Sequence, residues 1–230
     1  MADAGAPNED DDREAELQSV MAGCRASHAR LLTVVAGLDE AGVRAPSRLD
    51  GWTVGHVLTH LARNADSHTR MLSAALRGES VEQYAGGREQ RAGSIEAGAD
   101  RPVSELRADV ERSTAALEAT WTAMTPEAWD GHGLSRGRPW PCRSLPFFRW
   151  REVEIHHVDA GTGYGPHDWP DEYVRRELPR LLATVPDRLG DEAERRRLLA
   201  WLTGRSPSAG DLDLGPWESR PNNYFGASRN

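Results

Sequence analysis

Three long segments of the chain carry apolar residues at every third or fourth position, and this spacing is the strongest constraint on the fold. The segments run from about residue 13 to 38, from 53 to 76 and from 103 to 124. Residues at such spacings share one face of an α-helix, and that face has to be buried against a neighbour. A fourth helix is predicted at 145–160, LPFFRWREVEIHHVDA. The pattern predicts four long helices that pack as a bundle.

The rest of the chain adds shorter helices. One is expected at about 88–97 in a glycine-rich stretch, and two more at 171–185 and 191–203. Residues 125–144 are predicted to be a long irregular connection, and such connections are often functional in compact domains. No segment shows a convincing alternation of apolar and polar residues. We therefore predict a mainly α fold: an up-down four-helix bundle with a short, reduced C-terminal helical extension.

The predicted organisation has three parts. Residues 1–12 are expected to form a disordered acidic tail, residues 13–165 the helical bundle, and residues 166–230 the C-terminal extension. A chain of 230 residues suits one domain with a small appendage.

Charge and hydropathy argue against several classes of partner. The formal net charge is −8 and the isoelectric point is about 5.5, whereas nucleic-acid binding needs a basic surface. No apolar run approaches the roughly 20 residues that span a bilayer, and the acidic N-terminus does not resemble a signal peptide. We expect a cytoplasmic monomer or homodimer whose partners are small molecules rather than nucleic acids or membranes.

The two cysteines, Cys24 and Cys142, form no CxxC pair, and a disulfide would be unusual in the cytoplasm. Cys24 lies in a helical pattern and is expected to be a small core residue. Cys142 lies in a loop with proline and arginine. A structural role is the simpler interpretation for it, with a reactive thiol as the alternative.

The segment GWTVGHVLTHLARNADSH, residues 51–68, carries three of the eight histidines. His56, His60 and His68 are four and eight residues apart, so all three lie near one side of the predicted helix. A single histidine at such a position is more often structural than a metal ligand. The spacing alone leaves both interpretations open.

A second segment, REVEIHHVD at 151–159, places carboxylates and imidazoles one helical turn apart. Glu152 and His156 form an i, i+4 pair, and Glu154 and His157 form an i, i+3 pair. Such a pair can reach one divalent ion, and a histidine from another helix would complete a three-ligand site with an open position. The helical positions do not decide between the two pairs. They also allow Glu152 and His156 to be a solvated pair on an exposed face.

Both segments resemble the metal motifs of the mycothiol-dependent maleylpyruvate isomerase family, a branch of the DinB-like metal-binding bundles. In that family the histidine of an HL dipeptide, a glutamate directly after arginine and the first of two paired histidines bind the metal. The resemblance implies that His60, Glu152 and His156 bind a divalent metal of zinc type. YAGGREQRAGSIEAGA and RRRLLAWLTGRSPSAGDLDLGPW also resemble family segments, so the similarity covers about residues 13–217.

The resemblance implies an isomerase that uses mycothiol as a thiol cosubstrate. A divalent cation lowers the pKa of a coordinated thiol. The thiolate would add to the cis double bond of an enedioyl acid such as maleylpyruvate, and its expulsion after rotation would leave the trans product. Two alternatives stay open. One is a mycothiol S-transferase acting on an electrophile in detoxification or natural-product biosynthesis, and the other is a metal-binding bundle without catalysis.

Arginines suit the binding of substrate carboxylates because a guanidinium pairs with them bidentately. Arg88 and Arg91 are the candidate catalytic residues, and Arg205 is a candidate for binding the thiol. Trp52 and Tyr84 are expected to wall the pocket, and for Trp52 a packing role at the start of the helix is an equally open interpretation. In a chain whose basic residues are all arginines, these arginines can equally be surface residues.

The C-terminal part departs from the family pattern. The resembled isomerase has a small α/β C-terminal domain, but only a short stretch here separates the helix that ends near Val185 from RRRLLAWLTGR. A full set of strands does not fit into that stretch. We therefore expect this part of the thiol or substrate pocket to be built differently.

Overall fold

The computed structural model describes residues 9–214, and the chain is mainly helical over this range. The helices are α1 (Glu9–Gly37), α2 (Glu40–Arg44), α3 (Val54–Ala75), α4 (Gly87–Ala99), α5 (Val103–Ala123), α6 (Pro126–Trp129), α7 (Leu145–Asp159), α8 (Asp171–Arg188) and α9 (Glu192–Leu202). Two short strands, β1 (His132–Ser135) and β2 (Arg138–Pro141), pair with each other. The predicted mainly α fold is confirmed.

Four long helices, α1, α3, α5 and α7, form the bundle. Helix α3 packs against α5 and α7, and α1 packs against α7 and α5. Apolar side chains from all four helices, joined by one residue of α2 and the residue that caps α7, meet in one buried core: Leu31, Val35, Val43, Val54, Val57, Leu58, Leu61, Ala62, Leu106, Val110, Val153 and Ala160. The apolar faces that predict the helices are therefore the faces that the bundle buries.

Helix α3, which carries the three clustered histidines, begins at a well-defined cap. Thr53 Oγ1 accepts a hydrogen bond from the backbone N–H of His56 at 3.4 Å, and the Thr53 N–H donates to His56 Nδ1 at 3.1 Å. This reciprocal pair is a capping box in which histidine takes the place of the usual glutamate or glutamine. His56 thus has a structural role at the start of the helix.

Residues 125–144 contain regular structure, so the prediction of an irregular connection was wrong. The short helix α6 is followed by an antiparallel hairpin in which Ser135 pairs with Arg138. The two turn residues, Arg136 and Gly137, have φ angles of 54° and 74°, as a tight two-residue hairpin requires. The strands are short and contain proline and glycine, so they show no apolar alternation that could predict them.

Helix α4 lies very close to α3, and two glycines make this possible. A Cβ atom on Gly55 of α3 would lie 2.3 Å from the carbonyl oxygen of Ala99, and one on Gly98 of α4 would lie 2.6 Å from Thr59 Cγ2. Both distances are far below van der Waals contact, so a side chain at either glycine would push the helices apart. Helix α4 also carries Arg91, and this packing fixes the distance from Arg91 to the histidines of α3.

By internal contacts the chain divides into two compact units, one ending at Trp169 and one beginning at Pro170. The first contains the bundle and the hairpin. In the second, α8 and α9 expose five large apolar side chains: Leu178, Leu182, Leu199, Trp201 and Leu202. The predicted limits at residues 12 and 165 remain predictions. Helix α1 begins at Glu9, and residues 1–8 and 215–230 lie outside the described range. Within that range no helix is long and apolar enough to cross a membrane.

Candidate metal centre

Helices α3 and α7 bring together three side chains with metal-binding atoms. His60 comes from α3, and Glu152 and His156 lie one turn apart on α7. One ligand atom from each lies within 4.8 Å of the other two. His60 Nε2 is 3.0 Å from Glu152 Oε2, and His156 Nε2 is 3.5 Å from the same oxygen. Within residues 9–214, this is the group of histidine and carboxylate side chains that has the geometry of a metal site.

The donor set fits a divalent cation. Two imidazoles and one carboxylate are the protein ligands of one class of catalytic zinc site, which keeps a further position for water or substrate. His60 is 2% exposed, while Glu152 and His156 are 16% and 17% exposed. The two imidazole rings meet edge to face with their centroids 4.4 Å apart. A cation held here would be shielded from most of the solvent, while two of its ligands stay partly exposed.

A carboxylate lies behind His156. Asp159 Oδ2 is 2.8 Å from His156 Nδ1, which is a common second contact of ligating histidines because it orients the ring. Burial disfavours the charged imidazole, but Asp159 and Glu152 outweigh burial and raise the pKa of His156 to about 9. Burial also opposes ionisation of Glu152. Hydrogen bonds from His156 and His60 overcome it and hold the pKa of Glu152 well below its usual value.

An arginine, in contrast, lies behind His60. Arg91 Nη2 on α4 is 3.1 Å from His60 Nδ1. Burial, followed by the charge of His156, lowers the pKa of His60 to about 4. His60 is therefore a neutral imidazole at physiological pH, which is the form that binds metals.

The predicted pocket residues differ in their placement. The Trp52 ring lies 5.9 Å from the His60 ring, and the Arg91 guanidinium lies 6.0 Å from the centre of the Tyr84 ring. Burial raises the pKa of Tyr84. Arg88 is exposed, and its side chain forms no hydrogen bond or ion pair within the described residues. Arg205 is exposed in the second unit, where it donates to the carbonyl of Thr203.

The other two histidines of α3 have different surroundings. His56 Nε2 is 3.4 Å from Glu96 Oε2, in addition to the contacts at the helix cap. His68 is completely buried and lies edge-on to Trp140, with the rings 5.6 Å apart. Its two ring nitrogens have no hydrogen-bond partner among the described residues, and burial lowers its pKa to about 3. His68 is thus a neutral core residue.

The alternative pair, Glu154 and His157, lies on another side of α7. Glu154 is 1% exposed, and four side chains donate hydrogen bonds to its carboxylate: Ser27, Arg30, Trp150 and Tyr164. The ring of His157 stacks on the ring of Tyr164 at a centroid distance of 3.9 Å. The spacing left two pairs open, and in the structure it is Glu152 and His156 that meet His60.

Both cysteines are buried. Burial raises the pKa of the Cys142 thiol to about 11 and raises that of Cys24 further. Cys24 Sγ lies 3.7 Å from His28 Nε2 in the core. Neither thiol has the exposure or the lowered pKa of a reactive cysteine.

Two features of the site were not predicted. Asp159 follows His156 by three residues, so helical spacing could have identified it as a neighbour on the same face. The contact between Arg91 and His60 joins residues 31 positions apart, and no local pattern indicates it.

Comparison with known proteins points to one family. The sequence model of the mycothiol maleylpyruvate isomerase N-terminal domain matches residues 24–161. Two solved structures are similar at 29% identity: a mycothiol-dependent maleylpyruvate isomerase, with a TM-score of 0.66, and a histidine-to-alanine mutant of such an enzyme, with a TM-score of 0.65. Each match covers 69% of this chain and 66% of the solved chain. No curated protein matches the sequence significantly. The match confirms the predicted DinB-like helical fold.

Proposed function

The chain belongs to the mycothiol maleylpyruvate isomerase N-terminal domain family, and on this premise we propose that it is a metal- and thiol-dependent isomerase. Its substrate would be a cis-enedioyl acid such as maleylpyruvate, and mycothiol would be the thiol. The convergence of His60, Glu152 and His156 within 4.8 Å carries the proposal, because this chemistry needs a site that can activate a thiol. The identity of 29% to a solved isomerase supports it.

His60, Glu152 and His156 would bind the metal, for which we propose zinc. When bound, such a cation lowers the pKa of a coordinated thiol, so that the thiolate is available at neutral pH. Glu152 supplies the negative charge of the site, since its pKa lies well below neutrality. Asp159 accepts the Nδ1 proton of His156 and so leaves Nε2 for ligation.

The proposed reaction is an addition followed by an elimination. The thiolate sulfur forms a bond to one carbon of the double bond, and the electron pair moves onto the conjugated carbonyl oxygen. The carbon–carbon bond is then single and rotates. Return of the electron pair re-forms the double bond as trans and expels the thiolate. The pocket has to stabilise the enolate and hold the carboxylates during rotation.

The candidate binding residues take separate parts in this proposal. Arg91 is the cation beside the triad and would hold a substrate carboxylate. Trp52 and Tyr84 would form the wall next to it. Arg88 remains a second candidate for the substrate, and Arg205 remains a candidate for the thiol.

The proposal is tested by incubating the purified, zinc-loaded chain with maleylpyruvate, with and without mycothiol. We expect the trans isomer to form only when the thiol is present. Product analysis separates this outcome from a stable thiol adduct, which would indicate the S-transferase instead. Undiminished turnover in thiol-free buffer would reject thiol dependence.

The metal site is tested by His60→Ala. This variant should lose stoichiometric zinc and all thiol-dependent turnover, because one of three ligands is gone. His132→Ala is the matched control, since His132 is an exposed histidine of the hairpin and should keep both. Full retention of zinc by His60→Ala would contradict the assignment.

A further inference from the structure

We propose that Arg91 is a metal-gated clamp for a substrate carboxylate. Its hydrogen bond to His60 and the ligation of a cation by His60 exclude each other, so metal binding frees the guanidinium for the substrate. The inference rests on the proposed metal site and deepens the proposed function, because it makes carboxylate binding depend on prior metal binding.

The hydrogen-bond partners of His60 determine which of its ring nitrogens carries the proton. Arginine can only donate hydrogen bonds, so the 3.1 Å contact with Arg91 Nη2 requires that His60 Nδ1 accepts and carries no proton. The proton of the neutral ring then lies on Nε2, and Glu152 Oε2 accepts it at 3.0 Å. Arg91 and Glu152 together therefore favour one tautomer of His60.

That tautomer cannot bind a cation at the centre of the triad. Nε2 is the ring nitrogen directed at Glu152, and ligation through Nε2 needs the lone pair that the proton occupies. A neutral His60 that ligates through Nε2 carries its proton on Nδ1. Two donors would then face each other across the contact with Arg91, so that contact has to break.

His156 has the opposite arrangement. Its Nδ1 faces a carboxylate oxygen of Asp159 at 2.8 Å, and this contact persists when Nε2 ligates a cation. The two histidines of the site are thus prepared differently. Metal binding keeps the carboxylate that orients the His156 ring, whereas it displaces the guanidinium that holds His60.

The displaced guanidinium has no carboxylate of its own to bind. Within the described residues Arg91 forms no ion pair, and it also contacts Tyr84, whose ring centre lies 6.0 Å from the guanidinium and whose hydroxyl is hydrogen-bonded to it. Its side chain is partly buried beside the triad. A guanidinium in this position can bind a carboxylate through two parallel hydrogen bonds, and a carboxylate is the anion that an enedioyl acid supplies.

Zinc titration of the chelator-treated, full-length protein tests the exclusion. Arg91→Met keeps most of the side-chain length and removes the donor, so it should bind zinc about tenfold more tightly than the wild type, the order of one lost charge-assisted hydrogen bond. Arg138→Met is the control. Arg138 is an exposed arginine whose side chain has no hydrogen bond or ion pair among the described residues, so its loss should leave zinc affinity unchanged. Equal or weaker zinc binding by Arg91→Met would overturn the proposal.

Nitrogen NMR of the histidine rings shows whether Arg91 weakens zinc binding through the tautomer of His60 or only through its positive charge. In the chelator-treated wild type, the His60 proton should be on Nε2, and zinc should move it to Nδ1. In chelator-treated Arg91→Met the preference for Nε2 should weaken, whereas Arg138→Met should keep it. A His60 proton on Nδ1 in the chelator-treated wild type would refute the mechanism.

Calorimetric titration with maleate tests the clamp without requiring turnover. The zinc-loaded wild type should bind maleate, the chelator-treated wild type should not, and zinc-loaded Arg91→Met should bind it about tenfold more weakly. Equal maleate affinity of the zinc-loaded wild type and Arg91→Met would reject the clamp, even if isomerisation is observed. If maleylpyruvate is not isomerised while these shifts occur, the proposed reaction fails and the clamp stands.

Discussion

Helix α7 carries two glutamate–histidine pairs, and their surroundings differ. Glu152 and His156 meet the imidazole of His60, and each keeps about a sixth of its side chain exposed, 16% and 17%. Glu154 and His157 are buried, and Glu154 accepts hydrogen bonds from side chains of α1, of α7 and of the loop that follows α7. Side chains two positions apart on a helix point about 200° away from each other. Glu152 and Glu154 therefore face different surroundings although they are close in sequence.

The difference lies in whether fixed donors already satisfy the carboxylate. To bind a cation, Glu154 would have to give up hydrogen bonds that join α1 to α7, and leaving buried donors unpaired is costly. Glu152 faces imidazoles, which can share a cation with it and so replace one favourable contact by another. The residue types are the same in the two pairs, and their spacings, i, i+4 and i, i+3, both place a glutamate and a histidine one helical turn apart. The partners on neighbouring elements decide which pair maintains the fold and which is suited to a ligand.

The comparison is tested most strongly by removing each glutamate in turn. Glu152→Ala is expected to abolish stoichiometric zinc binding, because it removes the one carboxylate of the donor set. Glu154→Ala should still bind one zinc ion per folded molecule with wild-type affinity. Zinc titration of the chelator-treated proteins measures both. Zinc loss in the Glu154 variant combined with retention in the Glu152 variant would reverse the assignment of the two faces.

The same two variants should rank in the opposite order for stability. Glu154→Ala removes the acceptor of Arg30 and of several buried donors, and we expect a loss of about 3 kcal/mol in the free energy of unfolding. This is the lower end for a buried pair, since Arg30 is 38% exposed. Glu152→Ala should cost less, because His156 keeps its contact with Asp159. Urea denaturation of the chelator-treated proteins tests this order.

A second comparison sets His156 against His28, a histidine of the core. The pKa of His156 is raised to about 9, whereas burial lowers the pKa of His28 from 6.5 to about 4 in spite of its hydrogen bond to Glu118. Between pH 6.5 and pH 4, His28 is protonated in the unfolded chain but not in the folded chain. Stability should therefore fall as the pH decreases from 6.5 to 4, by about 3 kcal/mol for this group.

His28→Gln should remove this contribution. A glutamine amide can accept from Arg149, as His28 Nε2 does, and donate to Glu118, but it does not titrate. Urea denaturation at several pH values should show a smaller loss of stability towards pH 4 than in the wild type. His132→Gln, which alters an exposed histidine, should keep the wild-type pH dependence. An unchanged acid loss in His28→Gln would contradict the assigned protonation.

Most of the fold could be predicted, because a long amphipathic helix has to bury one face. Helix α3 is predicted at 53–76 and found at Val54–Ala75, and α7 is predicted at 145–160 and found at Leu145–Asp159. The hairpin could not be predicted. Proline and glycine interrupt its short strands, and its order depends on backbone pairing and on packing against α3. Neither of these contributions has a local sequence signal.

The candidate site could be predicted in part. Spacing identifies two possible pairs on α7, but the choice between them depends on which side of α7 packs against α3. The family resemblance supplies that choice, and the structure brings His60, Glu152 and His156 within 4.8 Å. The contact of Arg91 with His60 could not be predicted, because it depends on the close packing of α4 on α3 through Gly55 and Gly98.

The smallest expected effect concerns the hydroxyl of Tyr164, which is one of the donors to the carboxylate of Glu154. Tyr164→Phe removes one donor to Glu154 and keeps the ring that stacks on His157. We expect it to lower the free energy of unfolding by about 1 kcal/mol, the net worth of one hydrogen bond. Zinc affinity should not change. Urea denaturation and zinc titration of the same protein measure the two quantities.

A double-variant cycle shows whether this loss belongs to Glu154. The Tyr164 hydroxyl also lies 3.0 Å from the carbonyl oxygen of Asp168. When Glu154 is alanine, the one O–H proton can be donated there instead, so part of its contribution survives. Tyr164→Phe should therefore cost less in the Glu154→Ala background than in the wild type, which is the non-additivity expected of residues in contact. An equal cost in both backgrounds would assign the hydroxyl to Asp168 alone. A change in zinc affinity with Tyr164→Phe would mean that the two faces of α7 are coupled. Glu154, although its carboxylate already accepts several hydrogen bonds, could then no longer be treated as independent of the metal site.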